Sequence, residues 1–155
     1  YCISPTIDLH YDVRRFAHLV QQAEIAQVLD EKSVLLQEAI ELARAAYLIN
    51  AHTPWFEQRR QQLRQALSDA YGLLAEVRQQ QGDTDGALSL LLQASVRDLG
   101  RQDIVQQIMS LYVQHGLRDE ALHVYDRLVA YLQDVCGATP DPHLTTYAQQ
   151  LRQPI

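Results

Sequence analysis

One stretch of this chain occurs twice. Gln80, Gly82, Asp85, Ala87 and Leu88 return as Gln114, Gly116, Asp119, Ala121 and Leu122, each pair separated by 34 positions. A constant offset across a turn glycine, an acidic residue at a helix start and a small packing residue marks a duplicated structural unit. Gly82 and Gly116 each follow a helical run, where a residue free to take positive φ ends the helix without a Cβ clash. Asp83, Thr84 or Asp85 in the first copy, and Asp119 in the second, stand where the next helix begins; a carboxylate there caps free amides and opposes the helix dipole. Ala87 and Ala121 fall in the first turn of that helix, where a small side chain permits close helix approach. The copies therefore read as helix pairs, and neither can bury its apolar stripe without a neighbour.

The period is that of tetratricopeptide helix-turn-helix repeats. The expected fold is all-α, a tetratricopeptide-like right-handed stack of about seven antiparallel helices. Apolar spacing predicts helices over Asp12–Val28, Ser33–Ile49, Trp55 or Phe56 to about Gln81, Asp85–Asp98, Asp103–Gln114, Asp119–Val135 and His143–Leu151. Thr53 before Pro54 predicts a loop. The organisation expected is a single helical domain: a remnant of a preceding domain over 1–11, a degenerate first pair over 12–50, repeats over 55–100 and 101–136, and a capping helix over 140–155.

With 155 residues the chain can bury a core without metals or disulfides. Its net charge of −6 argues against its being a phosphate-binding surface. Cys2 and Cys136 are isolated and suit a reducing cytoplasm. No apolar run approaches the roughly 18 residues of a membrane span. Asp83-Thr84-Asp85-Gly86 fails the spacing of a calcium loop. The histidines form no HExxH and no four-residue helical pair, so no metal is implied. GxSxG, GxxxxGK[ST] and GxGxxG are absent, so neither an enzyme nor a cofactor is implied. Trp55 with Arg59, Arg60 and Arg64 reads as a packing anchor beside a solvated face, because Glu57 is interleaved and the chain is acidic. Tyr112, Tyr125 and Tyr131, at helical spacing, read as core and rim residues with hydroxyls reaching water, over the alternative of a ligand pocket.

Further motifs carry a resemblance. Asp12 and Phe16 open the first helix, and Trp55-x-Glu57-x-x-Arg60-x-x-Leu63 precedes the long one. Gly82-Asp83 with Ala87-Leu88, Tyr112, Gly116, Ala121-Leu122 with Tyr125, and Gly137-x-x-Pro140-x-Pro142 then follow in order. In this order they resemble the bacterial transcriptional activator domain of regulators of the Streptomyces antibiotic regulatory protein type. The resemblance covers nearly the whole chain. It departs at Asp98, where Leu99-Gly100 replaces the proline usual in the family, and at Lys32-Ser33, where alanine is typical.

The resemblance implies a winged-helix DNA-binding domain upstream, of which Tyr1–Ile3 would be the last strand, and a regulatory role for the helical part. DNA is then contacted only through that upstream domain. The expected partner is a protein segment or a second copy of the chain, met by Gln79 in one unit and Gln106, Ser110 and Val113 in the next on a concave side. Gly82, Ala87, Leu88, Gly116, Ala121 and Leu122 are expected to serve the repeat's structure. A stand-alone adaptor using the same groove and a small-molecule sensor are the competing readings; the latter needs an apolar cavity with a few convergent polar groups.

Overall fold

The computed structural model describes residues 5–47 and 54–154, with side chains described over 12–45 and 57–154. The described residues form seven α-helices and no strand: α1 (Pro5–Ile25), α2 (Leu29–Tyr47), α3 (Pro54–Gln80), α4 (Thr84–Arg97), α5 (Gln102–Gln114), α6 (Arg118–Tyr131) and α7 (Pro142–Arg152). A π-helical turn, Leu132–Cys136, extends α6. The fold is all-α, as the apolar spacing requires. Two compact units divide the chain, Tyr1–Leu90 and Leu91–Ile155.

In the first unit α2 packs on both α1 and α3. Phe16, Leu19 and Ala23 of α1, Leu36, Ala39, Ile40 and Ala43 of α2, and Leu63, Leu67, Ala70, Leu74 and Val77 of α3 are buried, so the apolar stripe of each helix is its buried face. Ser33, where alanine is typical, is also buried; a small side chain still fills that position. α1 begins at Pro5, ahead of the Asp12 expected from apolar spacing, and proline's fixed φ suits it to a helix's first position. Tyr1–Ile3 and residues 48–53, where a loop is expected, lie outside the described residues, as do the Trp55 and Phe56 side chains.

In the second unit α6 packs on α5, on the π turn and on α7. Its core joins Val105 and Met109 of α5, Ala121, Tyr125 and Leu128 of α6, Leu132 of the π turn, and Leu144, Ala148 and Leu151 of α7. α7 starts on an Asp141 cap whose Oδ1 accepts the His143 N–H (2.7 Å), with Pro142 at the first position. The Tyr125 hydroxyl donates to Thr145 Oγ1 (3.1 Å), so the protein rather than water satisfies it. Arg152 pairs with Asp126 and sits 5.8 Å from the centre of the Tyr125 ring. α7 is thus held by an apolar face and a polar margin.

One predicted helix is divided. Asp119–Val135 was expected to be continuous α-helix, whereas the last turn widens so that the Gly137 N–H and the Ala138 N–H both reach the Leu132 carbonyl. Gly137 closes it at φ 60°, ψ 27°, in the left-handed region. Leu132 stays in the core while Val135 is 66% exposed.

Candidate functional site

The two turns of the sequence repeat have the same backbone chemistry. In the first, the Asp83 N–H donates to the Arg78 carbonyl (2.8 Å) and the Gly82 N–H to Gln79 (3.0 Å). In the second, the Leu117 N–H donates to Tyr112 (2.8 Å) and the Gly116 N–H to Val113 (3.0 Å). These are the paired bonds of a Schellman C-cap, with Gly82 at φ 84° and Gly116 at φ 74°. Each turn passes directly into the next helix, with Ala87 N–H on Asp83 (3.1 Å) and Ala121 N–H on Leu117 (3.2 Å). Each of these three main-chain bonds of the first turn is matched 34 residues later in the second. Ala87 and Ala121 are both 0% exposed, and Leu88 and Leu122 are half-buried.

The caps differ. Asp83 Oδ1 accepts the Gly86 N–H (2.9 Å), which makes Asp83 the N-cap of α4. Asp119 does not perform that task in α6: the N-cap is Leu117 and no side chain caps the helix. Asp119 lies two residues past the cap, in the first turn beside Glu120, where its charge faces the helix dipole. The reason is register, since the residue matching Asp83 is Leu117, which has no acceptor to offer.

Of the expected contact residues, Gln106, Ser110 and Val113 share one face of α5 by their spacing. Gln106 is exposed and Ser110 half-buried, while Val113 also packs against the core of its unit. Gln79 is exposed in the last turn of α3 and belongs to the first unit.

Sequence reasoning missed a cleft in the second unit, of about 200 Å³. Leu92 and Leu99 form one wall, Val105 the next, and Val124, Leu128 and Tyr131 the wall from α6. Ser95 and Arg127 are its other polar-bearing residues, and the Ser95 hydroxyl is already committed to the Leu92 carbonyl (2.9 Å). Tyr131 therefore lines a cavity as well as packing against the core, where a core or rim role was preferred over a pocket-lining one. The signal lay at Leu99-Gly100, where an apolar side chain and a glycine stand in place of the family's proline. A Cβ on Gly100 would sit 3.4 Å from Tyr131 Cε1.

At the start of α5 Arg101 holds Asp103 through two bonds, Nε to Oδ1 (2.9 Å) and Nη2 to Oδ2 (2.8 Å). The guanidinium keeps the Asp103 carboxyl below the ordinary carboxylate range. No group of three or more metal-ligating side chains occurs among the described residues.

Paired helices and duplicated turns define an all-α domain built of helical hairpins. The family model of the bacterial transcriptional activator domain matches residues 11–152, and the chain belongs to that family. Searches of curated proteins and of solved structures return no match.

Proposed function

We propose that this chain is the regulatory, protein-binding segment of a bacterial cytoplasmic transcription factor whose DNA contacts are made by a separate winged-helix domain. Membership of the transcriptional activator domain family over residues 11–152 is the observation that carries this reading. The net charge of −6 favours contacts with protein over contacts with phosphates. The tetratricopeptide-like turns supply rigid helix pairs, and the Gln106–Ser110–Val113 face of α5 is the contact surface for a partner segment or a second copy of the chain. No described helix is long and apolar enough to cross a membrane.

The test uses the full-length regulator. Deleting this segment is expected to leave promoter binding in place, read by footprinting, and to abolish control of a reporter. Unchanged control would remove the proposal. Ser110→Arg should weaken control while circular dichroism stays unchanged, because Ser110 is half-buried and no side-chain bond is lost.

A further inference from the structure

We propose that the cleft between α4, α5 and α6 in the second unit binds a small organic carboxylate whose apolar body is about the size of one aromatic ring. Three observations converge. The first is size. About 200 Å³ is below the ~300 Å³ at which drug-sized pockets begin, yet above the ~150 Å³ apolar cavity known to hold benzene. The second is wall chemistry, since Leu92, Leu99, Val105, Val124 and Leu128 offer hydrocarbon and the Tyr131 ring offers an aromatic surface.

The third is charge. Arg127 lines the cleft with no ion pair or hydrogen bond among the described residues, so its guanidinium is available to a ligand there. A guanidinium offers a planar fork of donors that matches a carboxylate. Arg127 is solvent-exposed and is the one cationic side chain among the cleft's lining residues, which suits a single negative charge on an apolar body and suits a polyanion poorly. The site lies outside the α5 face assigned to a protein partner, so the two bind independently.

The experiment is a titration of the chain, followed by amide proton–nitrogen correlation spectra, with phenylacetate and with its neutral counterpart 2-phenylethanol. Phenylacetate is expected to shift resonances of residues 92–99 and 124–131 saturably, and 2-phenylethanol to bind at least ~10-fold more weakly, as loss of a charged hydrogen-bond pair implies. Arg127→Gln should reduce phenylacetate to the affinity of the alcohol. Ala130→Phe, at an exposed position of α6 that lines the cleft, should abolish binding of both while resonances elsewhere stay in place. Equal binding of acid and alcohol, undiminished binding by Arg127→Gln, shifts mapping to other residues, or no saturation by about 10 mM would each overturn the proposal. The titration reads the chain directly and so stands apart from the reporter assay.

Discussion

Gly82 and Gly116 have positive φ, and nothing lies within 4 Å of where a Cβ would stand. Alanine at either position therefore meets a backbone cost alone, about 1–2 kcal/mol for a left-handed residue. Gly82→Ala and Gly116→Ala should lower stability by similar amounts in urea unfolding; a large difference between them would show that the turns are not equivalent. Asp103 provides a pH test. Its folded-state pKa is lowered, chiefly by the Arg101 hydrogen bonds, so its stabilising effect is complete above the unfolded carboxylate pKa and disappears as pH falls through the lower folded value. Asp103→Asn should flatten the acid side of the stability profile below about pH 4 and leave its shape near neutrality unchanged, as followed by thermal midpoints across pH. Residue roles were legible where a period or a turn conformation demanded one side chain, as at Gly82, Gly116, Ala87 and Ala121. They were not legible where register decided: the sequence identity between Asp85 and Asp119 concealed that the capping pair is Asp83 and Leu117, one able to accept a bond and the other not.

At the scale of elements, the helix spans follow from apolar spacing because each helix has one buried face, and boundaries fall within a few residues of expectation except at α1 and after Tyr131. The π turn left no trace in the spacing, since Leu132 is buried in either geometry and only the hydrogen bonds distinguish them. In α3 the buried stripe also takes in Ser68 and Tyr71, both fully buried, although serine and tyrosine carry hydroxyls that apolar spacing does not count. Ala121 is fully enclosed, so Ala121→Leu should cost about 1–3 kcal/mol by overpacking, checked by calorimetry. Removing α7 would uncover Tyr125, Leu128 and Leu132, and should broaden amide resonances of α5 and α6 while those of α1 and α2 keep their dispersion. The cleft could not be found by inspection because its walls come from three helices, and only folding unites Leu99, Val105 and Arg127.

For the molecule as a whole, acidity leads to a separate expectation. A chain with 19 acidic and 13 basic side chains should show no saturable binding to duplex DNA at about 10 µM and moderate salt, where even non-specific binders begin to associate. Fluorescence anisotropy checks this, and tight binding would contradict the proposal that another domain makes the DNA contacts. The duplicated turns have one further consequence. Because their geometry is written in main-chain bonds and a single glycine, residues 112–121 should serve as a cassette in place of 78–87, with side chains such as Asp83 free to drift. A lineage, or an engineer, can therefore lengthen such a protein by copying hairpins and diversify what they touch without redesigning how they are joined.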